Sequence, residues 1–256
     1  MNVSVFENPE ELAEAAARDF SEKAEAAISA RGVFNFVLAG GSTPKATYEV
    51  LARDHTESVD WKNIHIFIGD ERTVPPDHED SNFRMAREAL LDRVPVGSVH
   101  RMRGELAPEE AAKEYESELR NIFGEAPSFD LIHLGIGEDG HTASLFPRTE
   151  ALEVTDRLVV SNVVEKLDTV RLTLTKEVIN DARSVVFLVA GEGKAEALEE
   201  ILEGGGDARE YPSKLIRPKA GGPEWMVERG AAGSLEKQKP RREPSPALIW
   251  ERANRK

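Results

Sequence analysis

The chain is 256 residues long, 40% hydrophobic and 31% charged, with 33 Lys and Arg against 47 Asp and Glu for a formal charge of −14. That mix suits one large globular α/β domain, while no apolar run approaches the ~18 residues of a membrane span and the acidic start MNVSVFENPEELAEAA lacks the order of a secretory signal. The absence of cysteine excludes disulfides, Cys-ligated zinc, iron–sulfur clusters and thiol catalysis, and the negative field argues against a nucleic-acid surface while permitting one small anion in a locally positive pocket.

Residues 3–6 (VSVF) are predicted as a short strand, followed by a long helix that Asn8 caps, Pro9 starts and Gly32 ends. Residues 33–39 (VFNFVLA) form an apolar, β-favouring run and are expected to be a buried strand. Gly40 and Gly41 break it, and Thr43 is expected to cap a helix from Pro44 to about Arg53. A strand over 64–68, a loop rich in Pro and Asp, a helix over about 81–93 and a second helix over 109–123 follow. A strand over 130–134 runs into the glycine-rich loop 135–140. Strands over 157–160, 170–174 and 184–190 come next, the last feeding a helix that reaches Leu202. Strand–helix alternation of this kind predicts an α/β fold in three layers, a mostly parallel sheet with helices on both faces. Ligands in such folds sit at the carboxyl ends of strands, here the loops after Ala39, Ile68, Leu134 and Ala190. From Leu235 onward the composition turns basic, Pro-rich and aperiodic (LEKQKPRREPSPALIWERANRK). The expectation is therefore a single domain over 1–235 and a flexible tail over 236–256, with Leu248, Ile249 and Trp250 able to dock on the domain or on a second subunit.

Gly40, Gly41, Ser42 and Thr43 precede a helix start, where free N–H groups, the helix dipole and two hydroxyls converge. This is either a phosphate cradle or an ordinary capped helix after a glycine turn. It is neither a P-loop nor GxGxxG. Asp70, Glu71 and Arg72 follow the strand 64–68. They form either an anion-binding, hydroxyl-orienting group or a solvated loop with a local ion pair. The stretch GIGEDGHTASLFP delivers His141 with Asp139 to the end of another strand. An imidazole there can take a proton from water, with the carboxylate holding its tautomer. A capping histidine and a metal ligand are the alternatives. The remaining histidines show no HxH or HxxxH spacing, which weakens the metal. His65 and His133 lie inside apolar strands and are expected to be core residues with their polar atoms satisfied. Arg171 stands within a strand, where a guanidinium calls for an anion or a carboxylate. Lys194 opposes the dipole of the helix it starts, so it is either an anion ligand or a surface lysine.

The segments FVLAGGSTPKATYEVLA, IFIGDERTVPPDHEDSNFRMAREALL, DLIHLGIGEDGHTASLFP, VRLTLT and VAGEGKAEAL, in this order and spacing, resemble the 6-phosphogluconolactonases, within a superfamily that also holds glucosamine-6-phosphate deaminases. The resemblance spans about residues 1–235. It implies hydrolysis of 6-phosphoglucono-δ-lactone in the pentose phosphate pathway, without metal or cofactor. It further implies a small-molecule substrate, no nucleic-acid or membrane partner, a cytoplasmic location, and a monomer or small homo-oligomer. By the same resemblance His141 is the general base, Asp70, Arg72 and Asp139 line the reacting end, and Gly40, Gly41, Ser42, Thr43, Arg171 and Lys194 surround the phosphate. The deaminases typically read GHIAFNEP at the histidine, with a glutamate five residues on; Phe146 stands there in this chain. That difference, with the DER triplet, favours the lactonase over the two alternatives, an amino-sugar phosphate deaminase and a non-catalytic sugar-phosphate sensor.

Overall fold

The computed structural model describes residues 2–125, 127–233 and 235, so the tail expected over 236–256 and its three apolar residues lie outside the described residues. The chain opens with β1 (Asn2–Phe6) and α1 (Pro9–Arg31). The Asn8 side chain accepts from the Glu11 N–H at 2.8 Å, as its place before Pro9 requires, and α1 ends at Gly32. β2 (Phe34–Leu38), α2 (Ser42–Asp54) and β3 (Ile64–Ile68) follow. Gly41, not Thr43, is the N-cap of α2, and among the described residues no side chain caps it. Ser42 and Thr43 lie inside its first turn, which carries no acidic residue, so the positive end of the helix is uncompensated.

The DER triplet is a strand and not a loop. β4 (Asp70–Arg72) leaves the line of β3 at Gly69, whose N–H donates to Leu38 O and whose carbonyl accepts from Leu174 N. The expected helix over 81–93 is α3 (Asn82–Ala86), capped by Ser81, widening into one π-helical turn over Arg87–Leu91. β5 (Ser98–His100), α4 (Pro108–Phe123) and β6 (Leu131–Leu134) come next. After β6 the chain forms β7 (Val159–Val164), β8 (Thr169–Leu174), α5 (Lys176–Asn180), β9 (Val185–Val189), α6 (Ala195–Leu202) and β10 (Glu224–Glu228). Besides β4, three of the elements named here have no counterpart in the sequence reading: β5, α5 and β10.

Seven strands form an all-parallel sheet in the order β1-β10-β9-β6-β2-β3-β5. β4, β8 and β7 form a small antiparallel sheet. Alternate residues of each central strand enter opposite cores. Phe36 and Leu38 face α1, α2 and α3 with Phe20, Tyr48 and Trp61, whereas Val37 faces α4, α5, α6 and the small sheet with Phe129, Phe187 and Trp225. β6 and β9 are buried at every position, as strands covered on both faces must be. No helix among the described residues is long and apolar enough to cross a membrane.

His133 of β6 is fully buried between the Tyr48 and Phe36 rings, but neither ring nitrogen has a hydrogen-bond partner among the described residues. The expectation of a satisfied core histidine is thus half right. Burial, with Lys23 adding repulsion, pushes its pKa down to about 3. Between that value and the ~6.5 of an unfolded histidine, the unfolded chain binds a proton that the folded chain refuses. Stability therefore falls as pH drops through this window, by about 2 kcal/mol from pH 7 to pH 5 for His133 alone. His133→Leu removes that contribution. Its urea midpoint is expected to change less between pH 7 and pH 5 than that of the wild type, and equal changes in the two proteins would contradict this account.

Candidate active site

The chain leaves β2 toward β3 on one side of the sheet, while β6 leads to β9 on the other. β2 and β6 are neighbours that pair over only two residues, Phe36 with Leu131 and Val37 with Ile132. Their carboxyl ends therefore open onto a crevice, the topological switch point at which α/β sheets bind ligands. Two adjoining hollows of about 240 and 410 Å³ occupy it. Every candidate residue borders one or both. Gly40, Gly41, Ser42 and Thr43 line the first, Asp139 and Arg171 line the second, and Asp70, Arg72, His141 and Lys194 border both. The expected phosphate set is thus divided: Arg171 opens on the Asp139 side, away from the Gly40–Thr43 loop, and Lys194 alone of that set touches both spaces.

His141 lies at the end of a loop folded back on itself, with Gly137 N donating to His141 O at 2.8 Å and Thr142 Oγ1 to Gly135 O at 2.8 Å. Ser213 grips the same loop, its hydroxyl donating to Gly140 O at 2.8 Å. The His141 ring packs so closely on position 137 that a Cβ there would overlap Nδ1, hence glycine. Nδ1 lies 2.5 Å from Asp139 Oδ1, and the ring stacks on Phe146 with centroids 4.1 Å apart. Nε2 has no hydrogen-bond partner among the described residues. Burial pushes the Asp139 carboxyl up, but hydrogen bonds from His141 and Lys166 outweigh it and hold the group well below the usual carboxylate range. Asp139 therefore stays ionised at any working pH. Ala143, beside the histidine, holds φ +46°, a left-handed conformation uncommon for a residue with a side chain.

Asp70 is buried and accepts from Ser144 Oγ at 2.7 Å. Arg72 donates to Asp80 O at 2.8 Å and to the Asn82 carboxamide oxygen. Asn82 Nδ2 donates to Asp70 O at 2.7 Å, so Asn82 joins the two ends of β4. The sequence reading missed Asn82, and it missed Glu71 as the buried organiser of this corner. The Glu71 carboxylate takes Ser81 Oγ and the N–H groups of Arg72, Asn82 and Phe83 at 2.7–3.0 Å. Burial pushes its pKa up, and these four donors work against the rise. Arg72 and Arg171 face each other in register across β4 and β8. Burial, then the Arg72 charge, lowers the Arg171 pKa from its usual value, and no carboxylate among the described residues forms an ion pair with Arg171. Two guanidiniums set opposite on a strand pair repel each other, and an anion between them relieves the repulsion. No group of three or more His, Asp or Glu suited to a metal occurs among the described residues.

An α/β sheet with a cationic switch-point crevice and a histidine–aspartate pair defines the class of α/β proteins suited to acid–base chemistry on a small anion. The family model for glucosamine-6-phosphate isomerases/6-phosphogluconolactonase matches residues 7–225, and the chain belongs to that family. It is 47% identical over 240 residues to the 6-phosphogluconolactonase of Synechocystis sp., covering 91% of this chain and 98% of that protein. Among solved structures it is similar to 6-phosphogluconolactonase from Trypanosoma cruzi, at 29% identity and TM-score 0.83 over 92% of this chain and 97% of that one. The Trypanosoma brucei 6-phosphogluconolactonase matches at 31% identity and TM-score 0.82, covering 91% and 98%.

Gly40→Ala tests the Asn82 corner, because a Cβ at position 40 would overlap the Asn82 carboxamide. The variant is expected to lose about 1–3 kcal/mol of stability, read as a lower urea midpoint at unchanged slope. An unshifted midpoint would mean that Asn82 yields freely and does not anchor β4.

Proposed function

We propose that this chain hydrolyses 6-phospho-D-glucono-1,5-lactone to 6-phospho-D-gluconate in the oxidative pentose phosphate pathway, with His141 as the base that activates water. The observation that carries the reading is the His141–Asp139 pair at 2.5 Å, which turns Nδ1 into a donor and leaves Nε2 as the acceptor. The uncompensated N-terminus of α2, the Ser42 and Thr43 hydroxyls and Lys194 take the phosphate, with Arg171 adding charge from the far side. The lactone carbonyl then lies beside His141. Nε2 takes a proton from water as its oxygen bonds to the carbonyl carbon. The tetrahedral oxyanion is met by backbone N–H groups of the glycine loops and by Arg72. Collapse breaks the bond from that carbon to the ring oxygen, which takes its proton from the imidazolium. Water is the only co-reactant the balance needs. Asp139 holds the ring and stabilises its charged form. Phe146, stacked on His141, offers no proton, which supports lactone hydrolysis over amino-sugar deamination. In this reading residues 1–235 are one catalytic domain, acting in the cytoplasm as a monomer or small homo-oligomer on a small molecule and without a cofactor.

The test is loss of freshly generated lactone with and without purified protein, against the uncatalysed trace. His141→Ala is expected to lower kcat by about 10²–10⁴-fold, with binding of 6-phosphogluconate retained. Equal rates in variant and wild type would remove His141 from the reaction, and no acceleration by folded wild type would remove the lactonase reading.

A further inference from the structure

Lys166 sits on the turn Glu165–Leu167 that joins β7 to β8, held by the Asp168 N–H donating to Glu165 O at 3.0 Å. Nothing in the sequence pattern singles it out. Its ammonium pairs with Asp139 Oδ2, while Asp139 Oδ1 takes both the His141 ring at 2.5 Å and the His141 backbone N–H at 3.2 Å. The same ammonium lies 5.9 Å from the centroid of Phe146, the ring stacked on His141. Lys166, Asp139, His141 and Phe146 thus form a closed ring of contacts. Three of the four come from one loop, and Lys166 alone comes from the hairpin. The other charged groups bordering this hollow are Glu138, Lys194, Asp70, Arg72 and Arg171, and none of them bonds Asp139.

A carboxylate tied through one oxygen can still turn about its last bond. Ties at both oxygens fix its plane, and with it the nitrogen that the imidazole must protonate to reach it. We propose that Lys166 is a positioning residue that locks Asp139 and thereby holds His141 in the tautomer protonated at Nδ1, leaving Nε2 to act. The consequence for turnover rests on the lactonase reading, while the tautomer itself does not. A positioning role predicts a loss in kcat at nearly constant KM, because the lysine supports the base and not the substrate.

The experiment compares the wild type with Lys166→Met and Lys166→Arg. The His141 ring nitrogen resonances are read by ¹⁵N NMR along a pH series, and the tautomer is taken from the alkaline plateau of that series. The wild type and the Arg variant are expected to show one dominant tautomer, and the Met variant a mixture. In the lactone assay Lys166→Met is expected to lower kcat by about 3–10-fold with KM within about twofold. In an Asp139→Asn background the same change is expected to add no further loss. An unchanged tautomer in Lys166→Met would overturn the proposal even if the protein hydrolyses no lactone. So would a tenfold rise in KM at constant kcat, which would make Lys166 a ligand of the substrate anion. A wild type that hydrolyses no lactone but keeps the lysine-dependent tautomer would overturn only the lactonase reading.

Discussion

Two parallel strands cannot be joined by a tight turn; the chain must cross back over a face of the sheet, and each crossover moves it one way along the sheet. Where successive crossovers diverge, the loops at the strand ends part and a crevice opens. In this chain that happens between β2 and β6, and the rest of the site follows from it. The loop after β2 brings backbone donors and the start of α2. The loop after β6 brings His141 and Asp139. Gly69 adds a second constraint. By bonding to Leu38 on one side and Leu174 on the other, it joins the main sheet to the small one. It thereby places Asp70 and Arg72 across the crevice from the histidine.

Carboxylates with different surroundings keep this corner in order. Glu71 is buried among four donors and lines neither crevice hollow; its work is to hold Ser81, Asn82, Phe83 and the backbone of Arg72. Asp139 is partly exposed and held ionised by its cationic neighbours. Asp70 lies between these cases, buried yet bordering both hollows, with Ser144 as its donor. A chain of net charge −14 thus holds a local excess of arginine and lysine at one crevice, which is where an anionic substrate gains most.

The central strands and long helices were legible because each carries its own periodicity and punctuation: Asn8 and Pro9 before α1, Gly32 after it, and apolar runs for β2, β3 and β9. The glycine loops were legible as places where backbone must approach a ligand. What escaped depends on contacts distant in sequence. β10 is only five residues of mixed polarity and becomes a strand because β1 and β9 flank it. β5 has three residues, none buried, and among the described residues pairs only with β3. Thr43 looked like a cap because the residue type is right, but the cap is Gly41, two residues earlier, and the helix begins at Ser42. Asn82 lies in an expected helix and Lys166 between two expected strands, neither was singled out, and only the fold brings them to Arg72 and Asp139. Arg171 and Arg72 were each conspicuous, but their facing each other was not, because the register of β4 with β8 spans about a hundred residues.

The pairing of β1 with β10 sets a schedule for synthesis. The two strands match residue for residue from Asn2 with Glu224 to Phe6 with Glu228. Among the described residues β1 has no other neighbour in the sheet, so it must wait for β10. At roughly 5–20 residues per second, about 220 residues of separation leave β1 unpaired for some ten to forty-five seconds on the ribosome. Meanwhile β2, β3, β5, β6 and β9 emerge in time to assemble among themselves. The half of the crevice built from β2 and β6 can thus form on the nascent chain well before the outer edge of the sheet closes. An apolar edge at β9 stays open until then, the stretch of the half-built sheet that most needs covering.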